Sequence, residues 1–452
     1  MRSLAFKHTE IGGINMSIEK INAAREQIAS TSAYKTLTEF FDEGSFCELD
    51  AFVKSGDGLA EVTAGSGTVE GMPVYAFAQN SDISGGALSS AQSKKLKKLY
   101  SLALKTGAPV FGFYSSIGGR LKEGTDLLGG CGEVLKLASK ASGVVPQVSV
   151  VIGDCLGTNA LSAVSADFVI MSEKAQLSLD VTGKNAGLDF NLSHGNVAIK
   201  AEDSADAVAQ ARNLVPYLPS NNLVPAAEAE TNEPDGLSGK CIVSKLVDGG
   251  TKLRLFEGFG DNARVRLARL NGQVVGVVRT TGGMLDCKSA QKAAKFVRFC
   301  DAFSIPVITF ADCEGFECLK GAAKLTAAYA EATTIKISVI VGKAIGSAYI
   351  ALAGTGANAD VVYALPDAVV SPVNTEAAAF IMSPETMNVP VSEQKAAADK
   401  FAGENLSAFN AAQNGYIDGI FAEEELRDAL VSALDMLAGK RVPTVAKKHS
   451  TI

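Results

Sequence analysis

The chain has 452 residues, 47% of them apolar and 20% charged, which excludes global disorder and leaves room for two or three domains. Its 42 basic and 49 acidic residues give a net charge of −7, so no domain-sized basic stripe is expected, and nucleic acid is not an expected partner. Forty-four glycines, no tryptophan and three histidines point to tight turns and to sites built from backbone.

In chain order, residues 1–13 lack the uninterrupted apolar core of a signal peptide. Glu70-Gly71 then precedes an apolar run from Pro73 to Ala78, and Gly85-Gly86 and Ala91-Gln92 follow. Leu96, Leu99, Tyr100, Ala103 and Leu104 fall at helical spacing, and Ala108-Pro109 opens a second apolar run. The run Val148–Ile152 leads into Gly153 and Gly157, with Ala166-Asp167 after them. From Tyr217 to Gly236, three prolines, an Asn pair and an acidic run read as an interdomain linker.

Beyond the linker the pattern returns. Asn271-Gly272 precedes Val274–Val278, followed by Gly282-Gly283 and Ala290-Gln291. Ala293, Ala294, Val297 and Cys300 share a helical face, and Ile305-Pro306 opens Val307–Phe310. Ile337–Val341 leads into Gly342 and Gly346, with Ala359-Asp360 beyond. Gly71 and Gly272 stand 201 positions apart, Gly157 and Gly346 189. A period near 200 is too long for a solenoid and predicts a duplicated domain with loop deletions. Short β-rich runs alternating with amphipathic helices make each copy α/β. The expected division is 1–232 and 233–452. The longest apolar stretch, Ile335–Gly354, carries Lys336 and Lys343 and reads as a buried strand and a helix rather than a membrane span. Glu423–Leu437 reads as a closing helix with Leu426, Leu430, Leu434 and Leu437 on one side.

The eight cysteines form no C-x-x-C pair and match no zinc spacing, so reduced, mostly buried thiols of a cytosolic protein are expected, with no metal. The chemistry falls on two turns, Gly153–Gly157-Thr158 and Gly342–Gly346-Ser347-Ala348, where a β-run enters a segment of small residues. Free N–H groups at a helix start can form an oxyanion hole; the alternative is plain strand–helix turn chemistry, which needs Gly anyway. Ser347 is no hydrolase nucleophile by pattern, because Ile345 and Tyr349 occupy the glycine positions of G-x-S-x-G. His8 and His449 are terminal and His194 reads as a loop residue, which leaves only a Ser347–Lys343 pair as conceivable. Ser116-Ile-Gly118-Gly119-Arg120 is a third backbone-rich turn; Arg120 and Glu123 either serve it or form a structural pair. Lys94, Lys95, Lys97 and Lys98 form either a solvated basic face or a contact for a phosphate-bearing ligand.

Several longer stretches carry a resemblance. Phe41–Asp50, Tyr217–Asn222, Lys295–Pro306, Ala327–Thr333 and Gly415–Gly419 resemble, in order, motifs of the carboxyltransferase subunits of biotin-dependent acyl-CoA carboxylases and decarboxylases, the propionyl-CoA carboxylase β family. The resemblance spans about Leu37 to Arg441. It implies two tandem crotonase-like (ClpP/crotonase) domains, each a twisted sheet flanked by helices. It implies an N-terminal acyl-CoA-binding domain, a C-terminal biotin-side domain, and transfer of a carboxyl group between carboxybiotin and a short-chain acyl-CoA such as acetyl-CoA or propionyl-CoA. By the same resemblance, Gly157 and Thr158 hold the thioester carbonyl, and Gly346, Ser347 and Ala348 hold the biotin carbonyl. Gly118, Gly119 and Arg120 line the acyl-CoA side, and Tyr349 and Ile350 flank the acyl group; on the reading of the lysine face as a ligand contact, Lys94 joins the substrate-binding residues. Biotin's N1 serves as the base.

No Ala/Val-Met-Lys-Met site is present, so biotin is expected in trans, on a carrier protein. The implied partners are that carrier, a biotin carboxylase or a decarboxylase membrane subunit, and further copies of the chain (a dimer, or a hexamer built as a trimer of dimers), with a cytoplasmic location. The family's Gly-Gly-Ala stands here as Gly157-Thr158-Asn159 and its Gly-Gly-Ala-Tyr as Gly346-Ser347-Ala348-Tyr349; the Gly-rich loop after Phe316 is largely deleted before Gly321. Three alternatives stay open. They are a decarboxylase alpha subunit of methylmalonyl-CoA or glutaconyl-CoA type, a crotonase-like hydratase or hydrolase using Glu123, and a degenerate non-catalytic carboxylase subunit.

Overall fold

The structure is a computed structural model that describes residues 7–56, 58–235 and 241–443. It divides into two compact units. Unit 1 holds the residues up to Asn191 together with Lys200–Pro216; unit 2 holds Leu192–Ile199 and the residues from Tyr217 on.

Each unit is α/β and carries an eight-stranded mixed sheet. In unit 1 the order is Cys47–Glu48, Val62–Val69, Met72–Gln79, Val110–Ser116, Gln147–Leu156, Phe168–Ser172 and Ile199–Ala201, with Gln176–Ser178 paired to Gln147–Leu156. In unit 2 the order is Leu253–Leu255, Ala263–Leu270, Gln273–Thr280, Val307–Cys313, Lys336–Ile345, Val361–Ala364 and Gly419–Ile420, with Val369–Ser371 paired to Lys336–Ile345. The first three strands of each sheet pair antiparallel and the central ones parallel. The repeat in the sequence is therefore a repeat of topology.

The strands read as Val148–Ile152 and Ile337–Val341 run further than expected, to Leu156 and Ile345. Register shifts opposite the end of the neighbouring strand let them continue through Gly153 and Gly342. A Cβ on Gly153 would lie 2.5 Å from Ser115 Oγ and 3.2 Å from Ser115 Cβ, so a larger residue there would have to push Ser115 aside.

A two-residue hairpin turn joins the second and third strands of each sheet. Glu70 and Gly71 have φ of 50° and 76°, Asn271 and Gly272 53° and 79°. Positive φ at both central residues gives the primed turn whose twist suits a hairpin. One aspartate clamps each turn. Asp42 accepts from Glu70 N at 3.1 Å and Gly71 N at 3.0 Å, and Arg212 donates to it at 3.0 Å while also reaching Phe40 O. In unit 2, Asp248 accepts from Asn271 N at 3.0 Å and Gly272 N at 2.8 Å, while Arg427 holds Asp248 and Leu246 O.

Desolvation opposes ionisation of Asp42, but the Gly71 N–H, Thr68, Arg212 and the Glu70 N–H outweigh it and hold the carboxyl at about 2, below its ordinary 3.8. A depressed carboxyl stabilises the fold above its unfolded pKa and loses that contribution as pH falls through the folded one. Acid titration followed by circular dichroism should show an Asp42 contribution fading between 3.8 and about 2. Asp42→Asn should flatten that part of the profile.

The unit 2 core lies between the sheet and the closing helix. That helix spans Glu423–Leu437 as read from the sequence, and buries Leu426, Leu430 and Leu434 against Val275, Val277, Ile308, Phe310, Ile337 and Val339. In unit 1 the helix Ser32–Phe40 sets Phe40 5.0 Å from both Phe111 and Phe113. Each such fully buried side chain contributes about 1.5–3 kcal/mol. Residues 222–235 hold no helix or strand and run along the unit 2 hairpin, where Arg269 donates to Ala227 O at 2.9 Å and Ala229 N to Gly272 O at 3.1 Å. Ile335–Gly354 forms a strand and a short helix, and among the described residues no helix is long and apolar enough to cross a membrane.

Candidate active site

The first turn joins the strand Gln147–Leu156 to the helix Thr158–Val164. Gly157 bends the chain at φ 65°, ψ −135°, which disfavours any residue with a Cβ. Its own N–H donates to Ser178 O at 2.9 Å. The amides left without an acceptor among the described residues are those of Thr158 and Asn159, at the helix start. Burial raises the pKa of the Cys131 thiol, and the Thr158 hydroxyl near it offsets part of the rise, so the Thr158 side chain turns towards the helix Asp126–Ala141.

Asn159 is buried and does something the sequence reading missed. Gln79 donates to Asn159 Oδ1 at 2.9 Å, and Asn159 Nδ2 donates to Ser116 Oγ at 2.6 Å. Ser116 Oγ in turn accepts from Gly118 N at 3.3 Å and donates to Gly118 O at 3.2 Å. This chain of bonds ties the start of the helix to the Gly118–Gly119 turn. Leu88 N donates to Gly118 O at 2.8 Å and Arg120 N to Leu88 O at 2.9 Å, which fixes that turn from its other side.

Arg120 and Glu123 do not pair. Arg120 donates to Glu61 at 2.8 Å and also bonds Ser55. Glu61 is fully buried and needs that cation as its counter-charge. Glu123 accepts from Ser90 N and Ser90 Oγ at 2.7 Å each, at the positive end of the helix Ser90–Thr106. A carboxylate so held is a poor candidate for the hydratase base. The lysine face is also not simply solvated. Lys95 is 2% exposed and bonds Glu48 at 3.1 Å, Lys97 pairs with Glu133 and Lys98 with Asp50. Lys94 is exposed and makes no ion pair among the described residues.

The second turn repeats the first. Gly346, at φ 53° and ψ −120°, joins Lys336–Ile345 to the helix Ser347–Leu352, and its N–H donates to Ser371 O at 2.8 Å. The Ser347 and Ala348 amides are without acceptors among the described residues. Cys313 Sγ donates to Gly315 O at 3.2 Å where unit 1 has Ser116 and Gly118, and Asp312 N donates to Thr280 Oγ1 at 2.7 Å where Ser115 N meets Gln79. Ala348 stands in place of Asn159, so no side-chain link follows. A cleft of about 440 Å³ opens beside this turn, lined by Tyr349, Ile350, Pro372, Leu406 and Tyr416. Tyr349 Oη donates to Tyr416 O at 3.0 Å, and burial raises its phenol above the ordinary value.

Ser347 has no base. Lys343 donates to Glu314 at 2.8 Å, and that hydrogen bond raises its pKa, so it stays an ammonium ion. His194 sits exposed in a turn, 3.1 Å from Ser193 Oγ; His449 lies outside the described residues. One expectation is corrected. Not all cysteines are separate thiols, because Cys287 and Cys318 are joined, with Cα atoms 5.2 Å apart. The parallel pair Met284–Leu285 and Gly315–Phe316 aligns the starts of the helices Cys287–Ala302 and Leu319–Glu331.

Two α/β units of one topology thus each carry a glycine-bent turn whose leading backbone N–H groups have no acceptor among the described residues. Residues 30–452 match the carboxyl transferase domain family. The chain is 32% identical to the methylmalonyl-CoA decarboxylase subunit alpha of Veillonella parvula, over 98% of this chain and 96% of that one. It is 33% identical to the methylmalonyl-CoA carboxyltransferase 12S subunit of Propionibacterium freudenreichii subsp. shermanii, over 97% and 94%. It is 32% identical to the human mitochondrial propionyl-CoA carboxylase beta chain, over 95% and 89%. A solved structure of transcarboxylase 12S with methylmalonyl-coenzyme A and methylmalonic acid bound superposes with a TM-score of 0.87 at 30% identity, covering 99% of both chains. The chain belongs to the carboxyl transferase domain family, as a carboxyltransferase of the biotin-dependent acyl-CoA carboxylases and decarboxylases, and its units carry the crotonase-like fold.

Proposed function

We propose that this chain moves a carboxyl group between carboxybiotin, delivered on a separate carrier protein, and a short-chain acyl-CoA. The observation that carries the reading is the matched pair of turns, each with two amides that have no acceptor within the described residues. An enolate at a thioester and a ureido anion on biotin both carry negative oxygen, so a pair of backbone oxyanion sites suits both reactants. Thr158 and Asn159 would hold the thioester oxygen, with Gly157 setting the bend. Ser347 and Ala348 would hold the ureido oxygen, with Gly346 in the same supporting part. Gly118, Gly119 and Arg120 would line the acyl-CoA side, the free Lys94 would meet a CoA phosphate, and Tyr349 and Ile350 would border the cleft at the second turn. Carboxybiotin brings the carboxyl group and biotin's N1 takes the proton, so no side-chain base is needed.

Transcarboxylase 12S assembles as a hexamer, and we assign this chain to a homo-oligomer that works with a biotin carrier and its carboxylase or decarboxylase in the cytoplasm. A second reading, the same transfer run as decarboxylation, is favoured by the decarboxylase alpha subunits among the relatives. The non-catalytic alternative is disfavoured by the turns themselves, since Ser347 is exposed and the Thr158 hydroxyl faces Cys131. The test offers purified protein malonyl-CoA or methylmalonyl-CoA with free biotin or biocytin. Formation of acetyl-CoA or propionyl-CoA is expected; no biotin-dependent loss of the carboxyl group in any pairing would refute the assignment.

A further inference from the structure

Unit 2 places four arginines side by side on one sheet face. Arg254 lies directly opposite Arg266, and Arg264 opposite Arg279, across the three strands Leu253–Leu255, Ala263–Leu270 and Gln273–Thr280. Two residues apart on one strand, Arg264 and Arg266 point to the same side. Like charges directly opposite one another destabilise a sheet, so the arrangement calls for a compensating anion. The protein supplies little. Arg254 meets Glu257 at 3.3 Å, with both side chains more than half exposed. Arg279 donates to Cys241 Sγ at 3.0 Å. Arg266 is 5% exposed, and its Nε, like that of Arg279, is buried with no hydrogen-bond partner. A buried donor left unmade is costly. Unit 1, with the same topology, has Thr63, Gly65 and Ala78 at the positions of Arg264, Arg266 and Arg279, so the fold does not require the cluster.

The arginines front a cavity of about 430 Å³. Arg254, Arg264, Arg266 and Lys292 line it together with Glu257, Asp261 and Cys241. The lining carries an excess of positive charge, and Arg279 adds another cation behind it. Burial of the Cys241 thiol would raise its pKa, but Arg279, the Val243 N–H, Arg266 and the Ser244 N–H outweigh it and lower the value. The site already favours a negative atom. Guanidinium groups hold tetrahedral oxyanions through paired N–H bonds, and several can share one phosphate where a carboxylate has only two oxygens. We propose that this cavity binds a phosphate-bearing ligand, with Arg266 as its buried anchor. The cavity shares no residue with either glycine turn, so the proposal stands apart from carboxyl transfer.

The test uses the full-length chain in its native assembly, in phosphate-free buffer. Isothermal titration compares inorganic pyrophosphate, ADP and, as a dianion without phosphorus, succinate. CoA is left out, because the first turn is assigned to it. Pyrophosphate should bind saturably, and succinate about tenfold more weakly or worse. Arg266→Met and Arg264→Gln should each weaken pyrophosphate by about tenfold, the loss of roughly one charge-assisted hydrogen bond. Arg264 is exposed, so its variant carries the test if Arg266→Met fails to fold. As a second readout, pyrophosphate should slow alkylation of Cys241 by iodoacetamide, followed by peptide mass spectrometry, in the wild type and not in the variants. ADP binding as tightly as pyrophosphate would make the ligand a nucleotide, and pyrophosphate alone an inorganic phosphate; either supports the site. No saturable binding of either probe at millimolar concentration, or binding that both substitutions leave unchanged, would overturn it.

Discussion

Replacing Thr158 with proline should lower the rate of carboxyl transfer by roughly 10²–10³-fold while leaving the fold in place, the usual loss when one oxyanion donor is removed. Thr158 is the first residue of its helix, where an N–H has no intrahelical acceptor and proline's fixed φ is already helical. The residue before it is Gly157, which has no Cβ to clash with the ring. The substitution thus deletes a hydrogen from the proposed site and little else. Because the charge it stabilises develops as the enolate forms, the loss should fall on kcat more than on KM. Thr158→Ala is the control. It removes the hydroxyl that meets Cys131 but keeps the amide, and should hold activity within a few-fold. Ser347→Pro should act in the same way at the second turn. Steady-state kinetics with methylmalonyl-CoA and biotin, beside thermal melts, decide the matter. A Thr158→Pro enzyme that melts normally and turns over within threefold of wild type would remove the first turn from the chemistry.

What the sequence disclosed and what it hid divide along one physical line. Features that depend on neighbours in the chain were readable. Glycine at each bend, β-branched runs before it and leucines three or four positions apart along Glu423–Leu437 announce their structure locally, and the repeat doubled the signal of the bends and the runs. Features that depend on register were not. Nothing near Asn159 shows that it bonds Gln79 and Ser116, since those partners come from two other strands. Arg120 stands three residues from Glu123 yet serves Glu61, which only folding brings close. Cys287 and Cys318 face each other because a two-residue strand pair aligns their helices, and the arginine cluster exists only once three strands are in register. The helix Val391–Asn405, with no wide apolar stripe, buries just Ala398, Phe401 and Ala402 and gave no clear period to read.

The second large effect is one of stability. Asp248→Ala should destabilise unit 2 by about 3–5 kcal/mol, the range for removing one partner of a buried ion pair. Asp248 is fully buried, and its carboxylate accepts two amides of the hairpin turn and one Arg427 N–H at 2.7 Å. Without it, Arg427, 20% exposed, keeps its charge but loses its counter-ion, and two N–H groups of a turn already at positive φ lose their acceptor. The closing helix carries Arg427, so the loss should spread into the packing of Leu426 and Leu430 on the sheet. Asp42 supplies the internal comparison. It makes the same bonds in unit 1, but its side chain is 29% exposed and water can replace the lost partners. Asp42→Ala should therefore cost clearly less. Calorimetry of both variants would measure the difference, read from the transition each substitution moves, because a chain of two units need not melt in one step. Equal, small shifts for the two would mean that the buried clamp contributes no more than the exposed one, and that the hairpin of unit 2 is held by its strands alone.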